Sequence, residues 1–160
     1  MVAYPFCLSD SECFLSKYHL DPGYILSVGF LGERKNSIGL LQAFLDVYKS
    51  IRRKLVLIGG NRFLNAKNAE MVTNLINQNE DKIIHIPFLP SGSDMIKSAY
   101  SHCVFHVLPS HVETPGISNL EAMAFGKNIL VGDCLPVREY FSDYAFYCQS
   151  SSRESVKKCA

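Results

Sequence analysis

Short apolar runs alternate along this chain with longer stretches in which apolar residues recur every three or four positions. Tyr24–Gly29, Lys54–Gly59, Lys82–Ile86, Cys103–Leu108 and Asn128–Val131 read as strands buried on both faces, and Ala145–Cys148 as a short sixth. Between them lie helical patterns. Ser37–Ile51 places Leu40, Leu41, Phe44, Val47 and Tyr48 on one stripe, Ala66–Asn79 follows, and Ser91 is expected to cap a helix ending at Tyr100. Pro136–Phe141 and Ser150–Cys159 complete the set, the last being cut short by the chain end. Residues 1–13 read as irregular, and Phe14–Leu20 as a short helix stopped by Asp21-Pro22-Gly23. The expected division is a lead-in over residues 1–23 and one domain over 24–160.

Strict alternation of strand and helix implies an α/β fold, a parallel sheet of about six strands with helices on both faces. Right-handed crossovers and the common order 3-2-1-4-5-6 make strands one and four neighbours. That order brings the Gly29–Lys35 loop beside the Glu113–Gly116 loop, at the carboxyl ends where open sheets bind ligands.

Composition narrows the classes. A chain of 160 residues supports one domain with a real core. Hydrophobic content of 48% and charged content of 19% argue against disorder. A net charge of +1 gives no field that would draw nucleic acid or a membrane surface. No apolar run reaches a bilayer's span, and Met1–Phe6 lacks the form of a signal peptide, so a cytoplasmic protein is expected. The six cysteines form no C-x-x-C pair and read as reduced thiols. His102, Cys103 and His106 have loose metal-like spacing. In a strand, however, 103 faces away from the other two, so no metal site is expected.

The candidate chemistry lies between Pro109 and Gly126. Thr114 and Pro115 read as a helix start, Thr114 as cap and Pro115 at the first position, with Gly126 as the stop. Gly116, Ile117 and Ser118 then occupy the first turn, where N–H groups lack intrahelical partners and attract anions. Ile117, Leu120, Met123 and Ala124 mark the expected packed stripe. Glu113 lies in the preceding loop and Glu121 inside the helix, the latter near Ile117 and Ser118 on the wheel. A carboxylate so placed needs solvent or donors, which paired sugar hydroxyls would supply. The structural alternative makes Glu121 a solvent-facing residue and Glu113 an ordinary loop acid.

Glu113 and Glu121, with seven residues between and Ala-Met-Ala-Phe-Gly following, resemble the E-x7-E signature of retaining GT-B glycosyltransferases of family 4 (group 1). The resemblance spans roughly residues 24–148 and implies a Rossmann-like, C-terminal, donor-binding half. It implies that Glu113 contacts the donor sugar at the reacting centre, as the catalytic residue. By the same resemblance Glu121 binds the nucleotide's ribose hydroxyls, and the Gly116–Ser118 amides hold diphosphate and sugar. Gly29 and Lys35 match the family's glycine and lysine after the first strand, where cations hold the diphosphate. Two departures stand out: Thr-Pro-Gly replaces the usual Gly-Phe-Gly after the first acid, and Phe30 occupies the usual arginine's place, with Arg34 nearby. The solvated flank of a helix is the structural alternative for Arg34-Lys35.

The resemblance further implies a nucleoside-diphosphate-sugar donor, no metal ion, and a part in polysaccharide or glycan synthesis. A separate N-terminal domain would carry the acceptor site and any peripheral membrane contact. Without that domain the chain is expected to bind nucleotide weakly and transfer nothing. A non-catalytic nucleotide-sugar-binding module, a GT-B sugar epimerase and a mononucleotide-binding protein remain alternatives. Gly59-Gly60 suits either a phosphate turn or, more simply, a tight strand-to-helix turn. Pro87–Pro90 falls where, by the resemblance, the base is met. Arg138-Glu139-Tyr140 reads as surface, and no G-x-S-x-G elbow accompanies Ser110 and His111.

Overall fold

The computed structural model describes residues 14–159; the expectations for residues 1–13 lie outside the described residues. After a helical turn at residues 14–18 come β1 (Ile25–Val28), α1 (Ser37–Ile51), β2 (Leu55–Ile58), α2 (Ala66–Asn77), β3 (Ile83–Ile86) and α3 (Asp94–His102). Then follow β4 (Phe105–Leu108), α4 (Ile117–Ala124), β5 (Asn128–Gly132), α5 (Leu135–Phe141), a 3-10 turn (Ser142–Tyr144), β6 (Phe146–Cys148) and α6 (Arg153–Cys159).

All six strands are parallel, in the order β3-β2-β1-β4-β5-β6. The expected α/β fold, a six-stranded parallel sheet with strand order 3-2-1-4-5-6, is the one observed. Alternate strand residues enter two separate cores, as the two-residue period of a strand requires. Leu26, Val56, Ile58, Ile129 and Val131 join Phe14, Ile96, Tyr100, Ala122 and Phe141 on one face. Ile25, Leu55, Leu57, Val107 and Leu130 join Leu40, Leu41, Phe44, Val72 and Val156 on the other. Helices α3, α4 and α5 therefore cover the first face, and α1, α2 and α6 the second. Leu41 is fully buried, so truncating it to Ala would cost about 2–5 kcal/mol.

Element boundaries shift by up to three residues from expectation, and two of the shifts have a visible cause. Ser93, not Ser91, caps α3: its Oγ accepts from Ile96 N at 3.4 Å, because Gly92 at φ +71° first completes a turn. Cys103 ends α3 instead of opening β4, its N–H still bonded to Ala99 O. Cys103 and Cys148 are buried reduced thiols, the Sγ of Cys148 donating to Val131 O at 3.5 Å, and Cys134 is a half-buried one. No helix among the described residues is long and apolar enough to cross a membrane.

Candidate functional site

β1 and β4 are neighbours, with Leu26 opposite His106, so the loops leaving their carboxyl ends meet. The meeting is stitched by main chain: His111 N donates to Arg34 O at 2.9 Å, and the Arg34 side chain donates to Val112 O at 3.0 Å. The adjacency expected from strand order is thus present, and it joins residues distant in sequence.

Lys35 and Glu113 form an ion pair between these loops, with their side chains only 9% and 10% exposed. Arg34 reaches the other carboxylate oxygen at 3.4 Å, Ser110 Oγ donates to Oε2 at 3.3 Å, and Thr114 N donates to Oε1 at 3.3 Å. Burial raises the Glu113 pKa, but the hydrogen bond and charge of Lys35, aided by Thr114 N–H and Arg34, more than offset it. The carboxyl is held below its ordinary range. The open face of Gly29 lies against Lys35, 3.7 Å from Nζ to where a Cβ would stand.

The tip of α4 lies beside the same carboxylate. Gly116 is the N-cap residue, at φ 85° and ψ 100°, and no side chain caps the helix. This corrects the expected start: Thr114 does not cap and Pro115 is not the first helical residue. Gly116 adopts a conformation closed to other residues and outside the helical region, so the helix begins one residue after it. A Cβ on Gly116 would lie 2.9 Å from Asn119 Nδ2 and 3.0 Å from Glu113 Cγ. Ile117 and Ser118 follow as the first helical residues, and their N–H groups donate to no protein acceptor among the described residues.

The expected packed stripe is also corrected. Ile117 is 73% and Leu120 45% exposed, Ala124 is exposed, and Met123 is half-buried. Asn119 and Ala122 are the buried residues. The entry at Gly116 sets the helix phase, small Ala122 faces the core, and the Asn119 amide closes the loop by donating to Pro115 O at 3.2 Å. At the other end Gly126 N bonds Met123 O and Lys127 N bonds Ala122 O, the glycine stop that the sequence indicates.

Glu121 is half-buried and accepts a hydrogen bond from Tyr100 OH at 2.8 Å. Neither Tyr100 nor His106 was singled out for this role by sequence. Tyr100 is buried, and burial followed by the Glu121 bond raises its phenol pKa far above normal. His106, fully buried on β4, accepts from Val28 N at 3.3 Å through Nε2. Its proton therefore resides on Nδ1. Burial, then the Lys35 charge, pushes its pKa down to about 3. His106 Nδ1 and Asn119 Oδ1 are both buried with no hydrogen-bond partner among the described residues.

Gly59 resolves to the simpler of its two readings. A Cβ there would lie 2.2 Å from Gly29 O, so the glycine serves the close approach of the β1 and β2 ends. Arg138 pairs with Asp133 at 2.5 Å on the surface, and Glu139 and Tyr140 are exposed.

The family model for glycosyl transferases group 1 matches residues 16–158. The chain belongs to that family. The glycosyl transferase group 1 fold it adopts is also that of solved structures. One is the C-terminal domain of a Francisella tularensis glycosyl transferase group 1 family protein: 20% identity, TM-score 0.72, covering 97% of this chain and 81% of that one. A Rickettsia africae glycosyltransferase superposes with TM-score 0.79 at 18% identity, covering 96% of this chain and 41% of that chain. An Anabaena protein solved in complex with UDP and glucose gives TM-score 0.79 at 15% identity, with coverage of 96% and 42%. This glycosyl transferase domain thus spans under half the length of the latter two. No curated protein sequence matches it.

Proposed function

We propose that this chain is the donor-binding half of a retaining glycosyltransferase that uses a nucleoside-diphosphate sugar. The observation that carries the reading is the convergence of Lys35, Glu113 and the bare tip of α4 at one switch point of the sheet. The Anabaena relative's complex with UDP and glucose supports the class of ligand.

The chemistry asked of these residues is charge stabilisation. The diphosphate gains negative charge as the glycosidic bond breaks. Lys35, Arg34 and the Ile117 and Ser118 N–H groups meet that charge without a metal. Gly116 and Gly29 carry no side chain to hold the diphosphate away. Lys35 is paired with Glu113, so an arriving diphosphate competes for the ammonium and turns the carboxylate toward the sugar. Glu113 thereby positions the donor at its reacting carbon. Glu121 accepts from ribose hydroxyls while Tyr100 holds its other side.

A second domain supplies the acceptor site, and the isolated chain binds donor weakly and transfers no sugar. The competing reading is a nucleotide-sugar module without catalysis. Phe30, standing where the resemblance implies an arginine, favours it. Adding a candidate acceptor domain and assaying transfer separates the two.

The donor reading is tested by ligand-observed NMR with UDP, GDP, ADP and their glucose conjugates. One base class is expected to bind, and Glu121→Ala to weaken the nucleotides without weakening pyrophosphate. Absence of binding across the panel contradicts the reading.

A further inference from the structure

Three cations surround one aromatic ring. Arg34 Cζ lies 5.0 Å, Arg62 Cζ 5.3 Å and Lys35 Nζ 5.6 Å from the Phe30 ring centroid. Among the described residues, Glu113 alone pairs with these cations, and it takes Lys35 and Arg34. Glu33, the next acid on the loop, is committed elsewhere: it accepts from the Leu64 and Asn65 N–H groups and from the Asn68 amide. The Arg62 side chain is exposed and makes no ion pair or hydrogen bond among the described residues. Three cations against one carboxylate leave two positive charges uncompensated.

Main-chain bonds bring Arg62 here. Arg62 N donates to Leu31 O at 2.7 Å, Leu31 N donates to Gly60 O at 2.9 Å, and Leu31 bridges Asn61 in parallel register. The loop after β2 is therefore stitched to the loop after β1 as a short extension of the sheet. Gly32 permits the stitch, since a Cβ there would lie 2.8 Å from Arg62 O. Arg62 is held at the site by backbone that none of its side-chain contacts created.

We infer that Phe30 is a cation platform and that Arg62, presented on it by the loop after β2, is a diphosphate-binding residue of the donor site. The inference rests on the donor reading above and adds to that site Arg62, from the loop after β2, and the uncharged Phe30, from the loop that carries Lys35. A phenyl face steadies a guanidinium by cation–π attraction while leaving its N–H fork free. A planar fork bonds phosphoryl oxygens in pairs, and two uncompensated cations match a dianionic or more highly charged group. A diphosphate is the ligand of that charge which the α4 tip and Lys35 would share.

Isothermal titration with inorganic pyrophosphate tests this independently of the base. Arg62→Gln is expected to weaken pyrophosphate about 10-fold and Phe30→Leu about 3-fold, with Lys49→Gln, at the far end of α1, unchanged. Circular dichroism of each variant is expected to match the wild type, because Arg62 is exposed. Equal pyrophosphate affinity in Arg62→Gln and wild type overturns the inference and leaves the donor reading standing. If wild type takes neither pyrophosphate nor UDP, GDP or ADP, the donor reading falls and this inference with it.

Discussion

Lys35 and Glu113 form a buried ion pair across 78 residues of sequence, and it closes the gap between the β1 and β4 loops. Removing one partner strands the other charge in a poorly solvated place. Lys35→Ala is expected to cost about 3 kcal/mol in urea unfolding, and Lys35→Met with Glu113→Leu to recover most of it. The double variant is expected to have lost nucleotide binding. Because the Glu113 pKa is lowered, the pair's contribution is full above the ordinary carboxylate value of 4.5 and is lost as pH falls below it.

Gly116 joins the loop to α4 at a φ of 85°, with Asn119 and Glu113 filling the space where a side chain would stand. Gly116→Ala is expected to lower stability by about 1–2 kcal/mol and to displace Glu113 from Lys35. Thermal unfolding measures the first effect. Loss of the downfield-shifted Lys35 ammonium signal in NMR reports the second.

The hydrogen bond from Tyr100 to Glu121 fixes a carboxylate that would otherwise rotate. Tyr100→Phe is expected to cost about 1 kcal/mol in stability. It is also expected to weaken nucleoside diphosphates several-fold while leaving pyrophosphate unchanged, since Glu121 faces the ribose in this account. Titration calorimetry with both ligands distinguishes this from a general loosening of the site.

His106 gives the domain an acid sensitivity of its own. Its pKa falls from 6.5 to about 3 on folding, so between those values the unfolded chain binds a proton that the folded chain refuses. Stability therefore drops as pH falls below 6.5, by up to about 1.4 kcal/mol per pH unit for this residue. His106→Gln keeps an acceptor for Val28 N–H and removes the titration. Its unfolding free energy is expected to change less between pH 6.5 and 5 than that of wild type.

The alternation of apolar runs with helical periodicity specified the parallel sheet, and the common strand order of such sheets then set the Lys35 loop beside the Glu113 loop. The sheet depends on residue periods, which the sequence displays, and the loop adjacency on the common topology of such sheets. The start of α4 was less legible, because Pro115 and Gly116 both punctuate a chain and only the backbone angle shows which one governs. The buried face of α4 followed from that angle, so Ile117 and Leu120 were misplaced and Asn119 overlooked. The roles of Tyr100, His106 and Arg62 were hidden for another reason. Each acquires its role from a contact between segments that no local pattern links, such as the Leu31–Asn61 bridge that carries Arg62 to Phe30.

The central claim is that a nucleoside diphosphate binds where the β1 loop, the β4 loop and the α4 tip meet. Amide chemical-shift mapping of the 15N-labelled chain during titration with UDP, GDP and ADP tests it most directly. The account predicts that the nucleotide that binds will shift the amides of Lys35, Ile117, Ser118 and Glu121 most. Largest shifts at the opposite end of the sheet, around Gly23 and Arg53, or no shifts with any of the three, would contradict it.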